Sequence, residues 1–259
     1  MKKFIDKWNN YANRDILKET SRAIDLSSFE IKDELESQVW QNKILEPQVR
    51  RKLIHIVKQF WDSLNLPTLE IEDITFTGSL ANYNWSKYSD VDLHILYDFS
   101  KVDDNQELVV QFFRNLQTNW NNRHDIYMSG YEVEIYFQNS TEPHISTGVY
   151  SIQNDEWLTK PEPVAASIDY ANIEKKAEDI VNRIDHIEQM LADKEGSIVL
   201  DAIERLKAKI RNMRQSGLEG AGQFSVENLA FKVLRRSEEL GRLSDLKARA
   251  YDELMSIEQ

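Results

Sequence analysis

The sequence contains no cysteine among its 259 residues. Disulfide bonds, thiolate metal sites and cysteine nucleophiles are therefore excluded. No apolar run approaches the roughly 20 residues that a membrane-spanning helix needs, so we expect no membrane partner. The basic start MKKFIDKWNN is followed by no apolar stretch, which argues against a secretory signal and favours a cytoplasmic location.

Basic charge is also in deficit, because the net charge at pH 7 is −12. A chain this acidic is not built as a non-specific nucleic-acid binder. The deficit is uneven: residues 203–250 hold eleven basic and six acidic side chains, which gives this basic segment a net charge of +5. Two interpretations of the basic segment stay open, a charged helix surface or a wall that faces an anion.

Hydrophobic spacing predicts helices and strands in the first part of the chain. Residues 47–64 carry apolar side chains at helical spacing, and the first forty residues predict a shorter helical lead-in. Strands are predicted for LEIEDITFTG, VDLHILYDF and ISTGVYSIQ, a helix for DNQELVVQFFRNLQTNWNNR, and a hairpin for HDIYMSGYEVEIYFQN.

The segment WLTKPEPVAAS contains two prolines and predicts a boundary, after which almost everything is helical. Helices are predicted for residues 173–192, 197–213, 226–240 and 243–257, with the glycine-rich SGLEGAGQ as a break after the second helix and Ser225 capping the third. The expected fold is α+β: a mixed β-sheet flanked by helices in residues 1–160, then an all-helical domain in residues 161–259.

Two carboxylates, Asp90 and Asp92, flank Val91 at a predicted strand. Alternate side chains of a strand point to the same side, so the two carboxylates project together while Val91 and Leu93 face the core. Like charges placed together cost free energy unless a cation lies between them. Mg²⁺ prefers oxygen ligands and is bound by carboxylates plus substrate phosphates, so the pair predicts a metal site for a nucleoside triphosphate.

A glycine-serine turn precedes the acidic pair. Gly78 ends a predicted strand, and its missing side chain lets a phosphate approach the backbone closely. The segment SLANYNW predicts a short helix whose free N–H groups attract anions, and the Ser79 hydroxyl can donate to a phosphate oxygen. Gly78 and Ser79 are therefore the predicted nucleotide-binding residues.

The stretch GSLANYNWSKYSDVDLHIL resembles the signature of the nucleotidyltransferase superfamily that includes DNA polymerase beta. The Gly78-Ser79 turn, a spacer of ten residues and the Asp90/Asp92 pair match that signature, whereas Thr77 stands where the family prefers a hydrophobic residue. The resemblance implies a nucleotidyltransferase-type sheet and metal ligation by the acidic pair, with Mg²⁺ or Mn²⁺ as the cofactor.

The family also uses a third carboxylate on a neighbouring strand. In YEVEIYFQ the resemblance implies Glu134 for this position, flanked by Val133 and Ile135, as a metal ligand or a general base. Glu132 lies on the same face of the strand and is the alternative. His94 shares the face of the acidic pair, where a structural role and a contact to the metal site both stay open.

The family often completes triphosphate binding with a basic residue from a C-terminal helical domain, and Lys232 is our candidate for that role. The implied reaction is attack of a hydroxyl on the α-phosphate of an NTP such as ATP, with release of pyrophosphate. The motif does not encode the acceptor, which could be another nucleotide, as in cyclic-oligonucleotide second-messenger synthases, a tRNA or other RNA 3′ end, an aminoglycoside, or a protein, as in antitoxin-type enzymes. A catalytically inactive nucleotide-binding module is the non-enzymatic alternative, although three acids favour catalysis.

Overall fold

The computed structural model describes residues 26–64, 70–144, 146–163, 167–192 and 196–256. The chain divides into two compact units. We call residues 28–165 the sheet unit, and the unit that contains residues 166–259 the helical unit. The predicted α+β fold with a helical C-terminal region is confirmed.

The sheet unit contains a two-stranded and a six-stranded sheet. Its elements in chain order are β1 (Trp40–Gln41), β2 (Ile44–Leu45), α1 (Pro47–Ser63), β3 (Asp73–Thr77), β4 (Val91–Tyr97), α2 (Gln106–Asn121), β5 (Tyr127–Met128), β6 (Tyr131–Asn139), β7 (Val149–Ser151) and β8 (Glu156–Thr159). β1 pairs with β2, and the other strands form one sheet in the order β5-β6-β4-β3-β7-β8. β4 and β6 run parallel, whereas the other neighbouring strands run antiparallel.

Alternation along β4 decides which face of the sheet carries the core. Val91, Leu93 and Ile95 are buried in the hydrophobic core, and the residues between them are half-buried on the opposite face. α1 supplies part of the same core through an apolar stripe that includes Leu53 and Val57. The helix predicted at residues 47–64 is therefore confirmed.

A helical connection allows β4 and β6 to run parallel, because parallel neighbours need a crossover between them. α2 lies in this crossover and also covers the free edge of β6. The Asn121 side chain donates to the Ile135 carbonyl at 3.0 Å and accepts from the Ile135 N–H at 3.1 Å. The Gln117 side chain accepts from the Phe137 N–H at 2.7 Å. These amides replace the missing strand partner and fix the position of β6.

One prediction for the sheet unit is wrong. Within the predicted helical lead-in, residues 26–29 form a 3₁₀ helix, but residues 30–39 form bends, turns and irregular structure and Trp40 begins β1; residues 1–25 of that prediction lie outside the described part. The division between the two units falls within the predicted boundary segment WLTKPEPVAAS, after residue 165, and the first residues of that segment belong to β8, which follows a tight turn with Asp155 at a φ of 60°. Trp157 of β8 stacks on Trp40 and donates to the Lys43 carbonyl at 2.6 Å, so tertiary contacts hold this strand in place.

The helical unit contains α3 (Tyr170–Ala192), α4 (Gly196–Ala221), α5 (Val226–Arg236) and α6 (Glu239–Met255). α4 packs against the other three helices. The Ser225 side chain accepts from the Asn228 N–H and caps α5, as predicted. Among the described helices, none combines the length and the apolar character that a membrane span requires.

The predicted glycine-rich break occurs at the end of its segment, because α4 continues through Gly217 and Gly220 and ends only before Gly222, where φ is +73°. A Cβ atom at position 217 would lie 2.6 Å from the Ser225 hydroxyl oxygen and 2.5 Å from Glu227 Cβ. Glycine therefore lets α4 and the start of α5 approach each other closely, which offsets its low helix propensity.

The helix predicted for residues 226–240 ends earlier, at Arg236. Glu238 adopts a left-handed conformation with φ of 59°, and α6 begins at the next residue instead of near Leu243. Several cations of the basic segment form ion pairs inside the helical unit: Arg205 with Asp201, Lys209 with Asp179, Arg242 with Asp185 and Glu239, and Lys247 with Glu204. Four of the eleven basic residues of this segment therefore have acidic partners within the unit.

Candidate active site

The acids predicted from the sequence meet on the face of the sheet that lies opposite the core. Asp92 on β4 has Thr77 on β3 as its antiparallel partner and Glu134 on β6 as its parallel partner. Asp90 precedes β4 by one residue and projects to the same side as Asp92. Thr77, which departs from the family signature, therefore lies beside the acids, and Phe76 takes the core position.

Asp90, Asp92 and Glu134 each offer a carboxylate oxygen, and these atoms lie within 4.8 Å of one another. All three residues are half-buried. We call them the carboxylate triad. Glu132 lies two residues earlier on β6, opposite Tyr127 of β5, and does not belong to this cluster.

The donor set of the carboxylate triad fits a hard divalent cation, since it consists of oxygen atoms and carries up to three negative charges. Like charges brought this close together repel each other unless a cation lies between them. Among the described residues, the triad is the one group of three potential ligands that could hold a metal ion.

Gly78 makes room for the triad. Its φ is +80°, a conformation that side chains disfavour, and a Cβ atom there would lie 2.9 Å from Asp92 Cγ and still closer to Oδ2. The turn therefore approaches the Asp92 carboxylate so closely that only glycine fits without displacing it. The sequence motif predicts this close approach of the Gly78 turn to the Asp90/Asp92 pair.

Ser79 joins the turn to the segment that leads into Asp90. Its hydroxyl donates to the Ser89 hydroxyl at 2.7 Å, and the Ser89 oxygen also accepts from the Ser86 N–H at 3.0 Å. The short helix predicted after Ser79 is wrong, because residues 80–84 form turns and bends. The Asn82 side chain accepts from the Tyr83 N–H and donates to the Thr147 side chain. These side-chain hydrogen bonds compete with those of a helix.

Aromatic residues between the turn and the acids serve mainly to hold this loop. Tyr83 is buried in the core, and Trp85 donates to the Glu34 carbonyl at 2.8 Å. Tyr88 is 44% exposed, with the Lys87 ammonium 4.9 Å from the centre of its ring. Tyr83 and Trp85 thus help to fix the path of the loop, through the core and through Glu34.

Tyr136 is a polar neighbour of the triad that the sequence interpretation missed. Its hydroxyl donates to Glu134 Oε2, and its ring centre lies 5.3 Å from that of His94. Burial, the hydrogen bond to Glu134 and the nearby carboxylates of Asp92 and Asp90 raise the pKa of the Tyr136 phenol. The available signal was its spacing, because a residue two positions after Glu134 projects to the same side of β6.

His94 lies on the same face, and burial, together with the charge of His144, lowers its pKa to about 4. Its imidazole is therefore neutral at pH 7. The Nδ1 atom is buried and has no hydrogen-bond partner in the described part of the chain. His94 is not a member of the metal-binding cluster, and its ring packs against Tyr136.

Lys232 lies on α5 of the helical unit and is half-buried. Its part in triphosphate binding stays a prediction. The basic residues in the last turn of α5 are Arg235 and Arg236.

The comparison with known families decides the identity of the sheet unit. Residues 50–153 match the family model described as Nucleotidyltransferase domain. The chain carries a nucleotidyltransferase domain. The match runs from α1 through β7, so it includes the Gly78 turn and every member of the carboxylate triad. No curated protein gives a significant match to the sequence.

The resemblance to the superfamily that includes DNA polymerase beta is thereby confirmed for this domain. The nucleotidyltransferase domain is followed by the helical unit, whose residues lie outside the matched range. A nucleotide is accordingly the substrate class that the domain implies.

Proposed function

We propose that the protein transfers a nucleoside monophosphate from an NTP to a hydroxyl acceptor and releases pyrophosphate. The observation that carries this proposal is the convergence of three carboxylate oxygens within 4.8 Å beside the Gly78 turn. The match to a nucleotidyltransferase domain supports the same reaction. We further propose residues 1–160 as the catalytic domain and residues 161–259 as an accessory helical domain.

Each part of the site has a proposed role. Asp90 and Asp92 hold the cation that accompanies the triphosphate, and Glu134 completes the ligand set. The Gly78 backbone would bind phosphate oxygens, since the turn lies against Asp92, and the Ser79 hydroxyl would turn its proton from Ser89 to a phosphate oxygen. Lys232 is proposed to pair with the triphosphate as a point charge.

Mg²⁺ or Mn²⁺ is the proposed cofactor, and when bound it would supply charge neutralisation at the attacking and leaving oxygens. In the reaction the acceptor oxygen forms a bond to the α-phosphorus, and the bond from that phosphorus to the bridging oxygen breaks. The electron pair leaves with pyrophosphate, and the acceptor hydroxyl passes its proton to the Glu134 carboxylate, the proposed general base. Catalysis of this kind depends mostly on positioning and electrostatics.

The acceptor defines the remaining alternatives: a second nucleotide, an RNA 3′ end or a protein. The acidic net charge of −12 disfavours a long nucleic acid as the acceptor. Four basic residues of the basic segment already have acidic partners, which points the same way. We therefore favour a nucleotide or a protein as the acceptor over a long RNA. The cytoplasm is the proposed location of the enzyme.

The test is to incubate the full chain with each labelled NTP and Mg²⁺ or Mn²⁺, with and without RNA, and to identify the products by mass spectrometry. We expect pyrophosphate release that depends on the divalent cation. A small nucleotide product identifies a second-messenger synthase, labelled RNA an end-adding enzyme, and labelled protein a nucleotidylating enzyme. Saturable NTP binding with no turnover under any condition would contradict the proposed reaction and favour a binding module.

A further inference from the structure

We infer that Tyr136 is a positioning residue that fixes the Glu134 carboxylate within the carboxylate triad and thereby sets the affinity of the site for a divalent cation. The inference rests on the proposed function of the triad. It assigns a role to a side chain that the family signature does not contain.

The first argument is the direct contact. The Tyr136 hydroxyl donates to Glu134 Oε2. A carboxylate has two oxygens and several acceptor sites, so this bond leaves Glu134 with acceptor capacity for a cation. A hydrogen bond to an ionised carboxylate is stronger than one between neutral groups, and it restricts the rotation of the carboxylate.

The second argument is the strand register. Glu134 and Tyr136 lie on the same face of β6, opposite Asp92 and His94 respectively on the parallel strand β4. The Tyr136 ring is therefore the next side chain along the row that carries Glu134. Its contact with the His94 ring, at 5.3 Å and 31° between the ring planes, keeps it at that position.

The third argument is the support behind β6. Both polar backbone groups of Ile135, the residue between Glu134 and Tyr136, are hydrogen-bonded to the Asn121 side chain. The backbone that carries the two side chains is thus held on the outer edge of the strand, and the Tyr136 hydroxyl holds the end of the Glu134 side chain.

The triad needs such a restraint because three carboxylates within 4.8 Å repel each other in the absence of a cation. Glu134 has the longest side chain of the three, so it has the most rotamers that would move its carboxylate away from Asp90 and Asp92. Partners that orient a metal ligand from behind typically change metal affinity or activity by about 10–100-fold when they are removed. We expect the Tyr136 hydroxyl to act in this range.

The test is a Mn²⁺ titration of the full chain, followed by electron paramagnetic resonance of the free ion, which needs no turnover. Tyr136→Phe removes the hydroxyl and keeps the ring, and we expect Mn²⁺ binding to weaken by about 10-fold. The matched control is Tyr127→Phe on β5, whose side chain is 63% exposed and which should bind Mn²⁺ like the wild type. Equal affinities of wild type and Tyr136→Phe would overturn the inference and leave the proposed function standing.

A double-mutant cycle separates positioning from general support of the fold. If Tyr136 acts through Glu134, Tyr136→Phe should have no further effect on Mn²⁺ affinity in a Glu134→Gln background. An equal loss in both backgrounds would overturn the inference. If Tyr136→Phe does not fold, Glu134→Asp tests the same contact, because the shorter side chain draws the carboxylate away from an intact Tyr136. Wild-type Mn²⁺ affinity of Glu134→Asp would also overturn the inference.

Kinetics give a second readout. With excess Mg²⁺, Tyr136→Phe should recover most of its kcat while the KM for the NTP stays near the wild-type value. A loss of kcat that excess cation does not restore would contradict positioning of a metal ligand. Failure of the wild type itself to bind Mn²⁺, with or without an NTP, would remove the metal site and the proposed function together.

Discussion

In the helical unit acidic side chains lie beside basic ones, whereas in the sheet unit three acidic side chains converge on one another. Glu227 accepts from the Lys176 ammonium at 2.6 Å, and Asp179 lies 3.2 Å from the Lys209 ammonium. The members of the carboxylate triad come within 4.8 Å of each other. The first arrangement stabilises a fold, and the second costs stability that a bound cation would offset.

The difference also appears in the backbone that supports the acids. Paired acids such as Asp201 and Glu204 of the helical unit lie on exposed helix surfaces, where substitution of one partner disturbs little else. The triad depends on a parallel strand pair, on a glycine in a left-handed conformation and on an amide that covers the strand edge. Because so many local features position the carboxylate triad, the arrangement indicates a function more than a contribution to stability.

Removal of two acids of the carboxylate triad should have the largest effect on the comparison between the two units. We expect Asp90→Ala combined with Asp92→Ala to lower NTP turnover by about 10³-fold or more, since even one lost charge-stabilising contact typically costs roughly 10²–10³-fold in kcat. The melting temperature should stay the same or rise, because like charges are removed from one face. Pyrophosphate release and thermal denaturation measure the two effects, and wild-type turnover would defeat the assignment of the site.

A pair of glycines tests whether the turn serves the triad. Gly78 and Gly130 have similar positive φ values of +80° and +86°, but a Cβ atom at Gly130 meets nothing within 4 Å. Alanine should cost about 1–2 kcal/mol of unfolding free energy at either position because of its backbone conformation. Only Gly78→Ala should also displace Asp92 and lower kcat, by about 10²-fold.

The comparison is made by urea denaturation and by NTP turnover of both variants. A Gly130→Ala variant as inactive as Gly78→Ala would show that backbone strain, and not the approach of the turn to Asp92, limits activity.

Within the helical unit, ion pairs should differ in strength according to burial. Arg242 pairs with Asp185 and with Glu239, whose side chain is 9% exposed, so Arg242→Ala removes a cation from beside a buried carboxylate. We expect a loss of about 1–3 kcal/mol in unfolding free energy. Lys247 pairs with Glu204 at the surface, and Lys247→Ala should cost about 0–1 kcal/mol. Urea denaturation followed by circular dichroism at 222 nm compares them, and equal losses would refute the ranking by burial.

The smallest expected effect is a pH dependence of the Lys176–Glu227 pair. The hydrogen bond from the Lys176 ammonium holds the pKa of the Glu227 carboxyl below its ordinary value of 4.5. The pair therefore stabilises the fold above pH 4.5, and this contribution is lost as the pH falls below that value. Lys176→Met should cost up to about 1 kcal/mol at pH 7, and the difference from the wild type should vanish once the pH falls below the lowered pKa of Glu227. A difference that persists after Glu227 is protonated would assign the effect to packing.

The sequence predicted those parts of the fold whose signal is local and periodic. Alternation in VDLHILY and helical spacing from Pro47 to Ser63 identified β4 and α1. The elements it missed depend on distant contacts: β8 on the stacking of Trp157 against Trp40, and the continuous α4 on close packing at Gly217. Such contacts are invisible to a window of neighbouring residues.

The residues of the site also form two groups, those that a sequence motif reveals and those that only the structure reveals. Asp90 and Asp92 form a spacing motif within one strand, and the family resemblance implies Glu134 through its apolar flanks, so the sequence suggests all three acids. Tyr136 and Asn121 carry no such motif, because their relevance arises from the register of β6 and from the crossover helix α2. The sequence predicts Ser79 as a phosphate ligand, whereas its hydrogen bond to Ser89 depends on the path of the loop and has no signal in the sequence.

The most direct test is a crystal structure of the wild-type chain with Mn²⁺ and a non-hydrolysable NTP analogue, with the ion located by its anomalous scattering. The account predicts a Mn²⁺ peak in contact with Asp90 and Asp92, and a triphosphate that reaches the turn at Gly78 and Ser79. An analogue bound elsewhere, or an ion peak distant from the carboxylate triad, would contradict it.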